Sequence, residues 1–362
     1  MRPLYRSVSI SNELLKMKSE RGYSILKNPT QKNPTHRWKG LVPGLLLTVI
    51  LAVLAWFCGH RVPIVGAPVF GILFGMIVAL FVNSPALREG TRFASKRLLQ
   101  LSVVLLGFEM NMRNVLAVGS ESLVVMAFTL TAAFLSAWAM QRVLRLDSVT
   151  ATLIGVGTAI CGGSAIAATA PVISAKEEDI AHSISTIFLF NIAAVFIFPA
   201  LGHLMGMGDQ GFGIWAGTAV NDTSSVLAAG YAYSDAAGKL ATIVKLTRTL
   251  MIVPITFVLA LYTARAGEGS SHFSFSKAFP WFVLGFVAAS LLHTSGIVSP
   301  EISRSLTVSG KFLIVAAMAA IGLNTHIGKL LANGLRPILM GLVCWVVLAG
   351  TSLIVQHFLG LL

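Results

Sequence analysis

The chain has 362 residues, of which 55% are hydrophobic and only 11% are charged, and its mean hydropathy is +0.80. This composition excludes an ordinary soluble protein and predicts a polytopic all-α membrane protein, because long apolar runs with few charges are typical of spanning helices. The net charge of +13 does not indicate a nucleic-acid partner, since residues 1–40 alone hold nine Lys/Arg and two acidic residues. We predict a basic cytoplasmic tail over 1–40, solvated or touching membrane lipid, and a transmembrane transporter domain over 41–362.

Apolar stretches separated by short polar loops give the candidate spans in chain order. The pattern predicts helices at 41–58, 65–83, 97–117, 121–141, 183–206, 240–265, 278–297, 301–323 and 334–361. Two further stretches, 150–172 and 211–233, are rich in glycine and hydroxyl side chains. Both are predicted to interrupt the helical pattern, because backbone without helical geometry survives at membrane depth only inside protein or beside a watery cavity.

Internal repeats relate distant parts of the chain. Residues 150–206 match 210–265 at an offset of 60, and residues 96–141 match 311–356 at an offset of 215. Such duplications are typical of secondary transporters, in which paired Gly-interrupted segments in corresponding halves mark the binding site.

The order of crossings predicts that the repeats are inverted. With a cytoplasmic N-terminus, the two copies of each repeat run in opposite directions only if both Gly-rich stretches are re-entrant and enter from opposite sides. We therefore expect about nine spans plus two hairpins, with eleven spans as the alternative. This arrangement puts 20 of the 27 Lys/Arg on the cytoplasmic side and the C-terminus in the periplasm, as the positive-inside rule favours.

The first Gly-rich stretch contains Thr158, Gly162, Gly163 and Ser164. The glycines free the backbone to leave helical geometry, and Ser164 is predicted to cap a half-helix whose N–H groups and positive dipole end face the membrane centre. We predict that these residues bind an anion. A glycine-rich surface for close helix packing is the alternative.

The second stretch contains the most polar run at presumed membrane depth, Asn221, Asp222, Thr223, Ser224 and Ser225. An intramembrane carboxylate is costly and indicates a functional role, so Asp222 is predicted to bind a coupling H⁺ or Na⁺. The neighbouring amide and hydroxyl groups are predicted to bind substrate. In the alternative interpretation, Asp222 only caps the following half-helix.

Few other polar residues lie within the apolar runs. Lys245 and Arg248 follow the second stretch and either attract an anion or extend to the interface. Asn191 lies in the helix between the two stretches, where a helix–helix hydrogen bond is the simpler interpretation. No nucleophile–base pair or metal-ligand spacing is recognisable, so we predict no enzyme activity, no metal and no cofactor.

These motifs resemble a known family. The Gly157–Ala165 run, the Asn221–Ser225 run and the Lys245–Arg248 segment are similar to those of the proposed sulfate exporters of bacterial inner membranes, a family of conserved hypothetical proteins. The resemblance covers residues 40–362 and extends to the superfamily of cation/proton antiporters and anion transporters. It implies inverted repeats, crossed broken segments and elevator-like alternating access. One departure is that a single long helix separates the Gly-rich stretches here, where antiporter relatives have several.

Together these features predict a secondary transporter that moves a small anion, such as sulfate, a sulfonate or a carboxylate, across the inner membrane with H⁺ or Na⁺. A cation/proton antiporter and a membrane-embedded pump or enzyme subunit are the alternatives. A homodimer is expected from the resemblance.

Overall fold

The computed structural model of the chain describes residues 34–62, 65–82, 84–265, 279–325, 328 and 334–362. Most of the predicted basic tail, residues 1–33, therefore lies outside the described residues.

The described chain is built of helices joined by short connections. Their bounds are α1 Pro34–Arg61, α2 Ala67–Phe81, α3 Pro85–Phe93 with its continuation through a π-helical turn Ala94–Leu98 and Leu99–Leu106, α4 Met112–Leu144, α5 Ser148–Ala159, α6 Gly163–Thr169, α7 Glu177–Leu204, α8 Asp209–Ala219, α9 Thr223–Tyr233, α10 Asp235–Leu250, α11 Ile252–Arg265, α12 Trp281–Thr294, α13 Pro300–Asn324 and α14 Leu335–Leu359.

The helices agree with a polytopic membrane protein. Among the described residues, six helical segments are long and apolar enough to cross a membrane: α1, α4, α7, α13, α14 and the segment Asp235–Leu259, which joins α10 to most of α11. Helices α2, α5 and α12 are shorter apolar helices. One predicted boundary is wrong. The chain turns at Met110–Asn111 rather than between 117 and 121, because Asn111 caps α4 through a 2.9 Å bond from the Arg113 N–H, while Gly119 and Ser120 stay helical.

The first Gly-rich stretch forms a hairpin made of α5 and α6. The Thr150 hydroxyl, near the start of α5, donates to the Asp179 carboxylate at 3.0 Å, and the Ser183 hydroxyl donates to the Thr150 carbonyl at 3.4 Å. Because Asp179 lies at the start of α7, the chain has returned after α6 to the face from which α5 began. This stretch is therefore re-entrant.

The second Gly-rich stretch, α8 and α9, is also a hairpin. The Ser234 hydroxyl at its end donates to the Asp209 carboxylate at its start over 2.6 Å. The Phe212 and Tyr233 rings stack beside this bond, with centroids 3.8 Å apart. Since α7 crosses between the two hairpins, they enter from opposite faces.

The related elements run in opposite directions. We call the face where α1 begins the N-face and the face where α14 ends the C-face. The Thr91 hydroxyl near the start of α3 donates to the Asn324 side chain at the end of α13, at 2.8 Å. Helices α3 and α13, which correspond at the offset of 215, are thus antiparallel, and both begin with a Ser-Pro pair, Ser84-Pro85 and Ser299-Pro300. The repeats are inverted.

Two groups of helices divide the described structure. Helices α1, α2, α3, α12 and α13 pack mainly on one another and form what we call the first bundle. The hairpins pack with α4, α7, α10 and α14 and form the hairpin bundle. Helix α9 makes the main contact between the bundles, against α2 and α13.

Close helix contacts in the first bundle depend on glycine. Gly75 of α2 faces Gly322 of α13, and a Cβ added to Gly322 would lie 2.9 Å from the Gly75 Cα and 2.8 Å from the Met76 nitrogen. These are backbone atoms, which cannot rotate away. Small residues at such positions let helix backbones approach closely in a membrane.

We expect Gly322→Ala to destabilise the protein by about 1–3 kcal/mol, because overpacking forces α2 and α13 apart. Gly350→Ala is the matched control, since a Cβ at this helical glycine of α14 meets no atom within 4 Å. The thermal unfolding midpoint of the purified protein in detergent measures both effects. Equal or higher stability of Gly322→Ala than of Gly350→Ala would show that this contact is not tight.

Candidate functional site

The helical backbone breaks at the tip of each hairpin. Gly162, with φ 68°, precedes α6, and Asp222, with extended backbone, precedes α9. A positive φ favours glycine, which explains Gly162 where the second hairpin has Asp222. The cap of α6 is therefore Gly162, and the predicted cap Ser164 is the second residue of the helix.

The two tips meet beside the middle of α7. A Cβ added to Gly162 would lie 3.6 Å from the Asp222 Cβ and 3.4 Å from the Asn191 side-chain nitrogen. The Asn191 side-chain oxygen accepts a bond from the Asp222 backbone N–H at 3.1 Å. Asn191 thus makes a hydrogen bond between elements, and its buried NH₂ group has no partner among the described residues.

Arg248 of α10 joins the first half of each hairpin. Its Nη2 donates to the Thr158 carbonyl at 2.7 Å, its Nη1 donates to the Thr218 carbonyl, and its Nε donates to the Ala159 carbonyl at 2.8 Å. Thr158 and Thr218 correspond at the offset of 60, so one guanidinium binds equivalent carbonyls of both repeats.

Lys245, one turn earlier, repeats this pattern closer to the tips. Its ammonium donates to the Ile160 carbonyl at 2.9 Å, to the Val220 carbonyl at 3.1 Å and to the Asn221 carbonyl. Ile160 and Val220 again correspond at the offset of 60. All three ammonium donors are used, and both cations are fully buried.

These bonds have an electrostatic cause. The last carbonyls of a helix have no intrahelical partner, and they carry the negative end of the helix dipole. Helices α5 and α8 both end at the tips, so the two cations satisfy their carbonyls and offset their dipoles. The sequence predicts that Lys245 and Arg248 either contact an anion or extend to the membrane interface. In the structure both side chains instead bind backbone carbonyls behind the hairpin tips.

Two adjoining cavities lie between the bundles and reach the hairpin tips. The wide cavity has a volume of about 440 Å³ and the narrow cavity about 270 Å³. The wide cavity extends toward the N-face, because the returning arm of the first hairpin and the N-face end of α12 line it. The lining residues there are Ala167, Ala168, Pro171, Val172 and Phe279–Phe282.

The structure brings five predicted site residues to these cavities. Ser164 and Thr223 line both of them, and Gly163, Asp222 and Ser224 line the narrow cavity. The remaining predicted residues line neither; they lie behind the tips, and they are Thr158, Gly162, Asn221, Ser225, Lys245 and Arg248.

Asp222 both caps α9 and faces the narrow cavity. Its carboxylate accepts a 2.9 Å bond from the Ser224 backbone N–H and a second bond from the Ser224 hydroxyl. Asp222 therefore caps α9, and its predicted role in ion coupling stays a prediction. Among the described residues that line the two cavities, Asp222 is the only acid.

Sequence reasoning missed three polar residues of the opposite wall. Lys96 and Gln100 of α3 line both cavities, and Arg97 lines the wide one. The available signal was the internal match of Lys96 with Lys311. It was missed because we expected a span from 97, which puts Lys96 at the membrane surface, whereas α3 begins at Pro85 and carries Lys96 inward.

In the part of the chain that the structure describes, no group of three or more His, Cys, Asp or Glu side chains is arranged to hold a metal ion. The absence of a cofactor stays a prediction.

We expect Lys245→Met to destabilise the protein by about 3 kcal/mol or more, because it leaves buried carbonyls of both hairpins without a donor. Lys239→Met in the same helix is the control. Lys239 forms a partly exposed ion pair with Glu109, and such a pair is worth about 1 kcal/mol or less. Thermal unfolding compares them. A Lys245→Met protein as stable as the control would contradict the carbonyl-binding role.

Comparison with known proteins identifies the family. A family described as conserved hypothetical protein 698 matches residues 43–341. A UPF0324 membrane protein of Streptococcus pyogenes serotype M18 is 52% identical over 332 residues, which cover 88% of this chain and 98% of that relative. A UPF0324 membrane protein of Streptococcus agalactiae serotype V is 48% identical, covering 89% and 99%. A third, from Fusobacterium nucleatum, is 42% identical, covering 88% and 98%.

No solved structure matches the chain. The family match spans both hairpins and all described residues that line the wide and narrow cavities. The chain belongs to the UPF0324 family of membrane proteins, which is the family that the Gly-rich motifs indicate.

Proposed function

We propose that this protein is a secondary transporter that moves a small anion across the bacterial inner membrane. The observation that carries the proposal is a cavity that extends from the N-face to the tips of two inverted hairpins, where a helix N-terminus and hydroxyl groups line it. Sites between broken helices at the repeat interface are typical of secondary transporters.

The charges at the tips favour an anion. Each hairpin presents one helix C-terminus and one helix N-terminus to the membrane centre. Lys245 and Arg248 occupy the carbonyls of the C-termini, so the Asp222 carboxylate, which accepts the Ser224 N–H, is what offsets the positive potential at the start of α9. When Asp222 is protonated, that potential is available to an anion. The hydroxyls of Thr223 and Ser164 add donors beside this helix end.

Asp222 couples anion binding to proton binding in the proposed site. An ionised carboxylate at the start of α9 repels an anion, whereas a protonated one does not. Anion binding therefore favours uptake of a proton at Asp222, and the two move together. Replacement of the proton by Na⁺ is the variant of this mechanism in which the carboxylate stays charged.

The proposed transport requires that the site open to each face in turn. In this structure the cavity extends to the N-face, which we propose to be cytoplasmic. Toward the C-face, ion pairs join the bundles, from Lys239 to Glu109 at 2.7 Å and from Lys311 to Asp235 at 2.8 Å. A homodimer and contacts with membrane lipid belong to the same proposal.

A cation/proton antiporter is the second candidate. It is favoured by one observation, that Asp222 is the only acid among the described residues that line the cavities. In that mechanism the carboxylate exchanges a cation for a proton, and anions have no effect.

Flux through purified protein in liposomes tests the proposal. Radiolabelled sulfate, a sulfonate and a carboxylate are loaded on one side, with protein-free liposomes as control. We expect gradient-driven flux of at least one anion. Flux that depends on Na⁺ or K⁺ and is indifferent to every anion would favour the antiporter, and no flux of any kind would contradict transport.

We expect Asp222→Asn to abolish proton movement coupled to the anion, because asparagine caps α9 but does not titrate. A pH-sensitive dye inside the liposomes should report a fall in internal pH after addition of the transported anion for the native protein. For the variant, the internal pH should remain unchanged. Asp147→Asn is the matched control, since Asp147 caps α5 outside the cavities. Acidification by Asp222→Asn equal to that of the control would exclude Asp222 as the proton carrier.

We also expect the double variant Glu109→Gln/Asp235→Asn to favour opening toward the C-face. In a background without the native cysteines Cys58, Cys161 and Cys344, Ala167→Cys places a thiol on the wide cavity. Labelling from the N-face by an impermeant maleimide should slow about threefold, because partly exposed ion pairs are worth about 1 kcal/mol or less each. Glu121→Gln is the control, and an unchanged rate in the double variant would refute the closing role of the pairs.

A further inference from the structure

The first bundle faces the hairpin tips with a cation. Lys96 and Gln100 lie one helical turn apart on α3, and both line the wide and the narrow cavity. Ser164, Thr223, Ser224 and Asp222 stand on the opposite wall. The two walls belong to different bundles.

Lys96 lies well inside α3, three turns after Pro85, and its side chain is exposed to the cavity. In the described part of the chain it makes no hydrogen bond and no ion pair. Ionisable residues within spanning segments pair with one another or mark the path of a substrate. Among the described residues, Lys96 therefore has no partner for its charge, and it lines the narrow cavity opposite the hairpin tips.

The backbone of α3 supports this placement. Residues Ala94–Leu98 form a π-helical turn, the one such turn in the described helices. The extra residue of a π turn changes the direction in which later side chains point, and such turns occur frequently at functional sites. Here the turn contains Lys96 and ends two residues before Gln100.

The internal repeat supplies an independent comparison. Lys311 corresponds to Lys96 at the offset of 215 and lines a cavity of about 420 Å³ on the C-face. Lys311 is paired with Asp235, and it lies 5.6 Å from the centre of the Tyr231 ring. Two equivalent lysines thus face cavities on opposite sides, and Lys96, in the cavity that reaches the tips, has no partner among the described residues.

We propose that Lys96 and Gln100 form the part of the anion site that the first bundle contributes. This inference rests on the proposed anion transport. A small oxyanion at the start of α9 would accept bonds from the hairpin hydroxyls and, across the cavity, from the Lys96 ammonium and the Gln100 amide. The anion then bridges the bundles, and relative movement of the bundles removes the Lys96 contact and weakens binding.

Anion-dependent thermal unfolding of the purified protein tests the inference. A ligand that binds only the folded state raises the unfolding midpoint, and the stabilisation grows with the logarithm of its concentration relative to the dissociation constant. Sulfate, phosphate and acetate are the probes, for the native protein and for Lys96→Gln, Lys96→Arg, Gln100→Leu and Arg92→Gln. Arg92→Gln is the matched control, because Arg92 lies one turn before Lys96 on α3 and lines neither cavity.

We expect Lys96→Gln to weaken binding of the stabilising anion at least about tenfold, which is the loss expected for a hydrogen bond to a charged group. Gln100→Leu should weaken it less, and Lys96→Arg and Arg92→Gln should stay within about threefold of the native protein. Equal affinity of native protein and Lys96→Gln would overturn the inference.

The two proposals fail in different ways. If no probe anion stabilises the native protein, proposed anion transport is contradicted at its binding step. If an anion stabilises the native protein and all variants alike, only the role of Lys96 and Gln100 is refuted. Should Lys96→Gln not fold, loss of affinity in Gln100→Leu with retention in Arg92→Gln decides the question.

Discussion

Two buried cations hold the centre of this fold. Arg248 and Lys245 each donate to carbonyls of both hairpins, at positions related by the internal offset of 60. An unpaired charge at this depth is costly, and so is a helix end without partners. The hydrogen bonds between them reduce both costs, since the cations supply the donors that the ends of α5 and α8 lack and the carbonyls solvate the two charges. The contact fixes the tips against each other beside Asn191.

The same contact decides which helix ends remain available. Because α5 and α8 end on Lys245 and Arg248, the positive ends of the returning helices are the ones directed toward the cavities. Asp222 caps one of them and lines the narrow cavity, so the carboxylate occupies the place where an anion would gain most. Competition between the two is the physical basis of the coupling that we propose. Lys96, on the opposite bundle, adds charge that the hairpins do not supply.

Much of this arrangement could be predicted from the sequence. Glycine and hydroxyl residues in two matched stretches predicted broken helices, and the inverted repeat predicted that the hairpins enter from opposite faces. Side-chain direction could not be predicted in this way. The charges of Lys245 and Arg248 in the sequence are typical of an anion site, yet only the positions of the hairpin carbonyls show that both side chains bind backbone oxygens instead. Lys96 was missed because the chain turns at 110–111 rather than near 119. Helix α3 therefore begins earlier than predicted, at Pro85, and Lys96 lies inside it rather than at its start.

Direct location of a bound anion tests the central claim that the hairpin tips form an anion site. Crystals of the protein soaked in selenate, measured at the selenium absorption edge, would show the anion by its anomalous scattering. The account predicts a peak within hydrogen-bonding distance, about 3 Å between oxygen and donor, of the Thr223 hydroxyl at the start of α9. A peak only at the protein surface, with the wide and narrow cavities free of selenium, would contradict it.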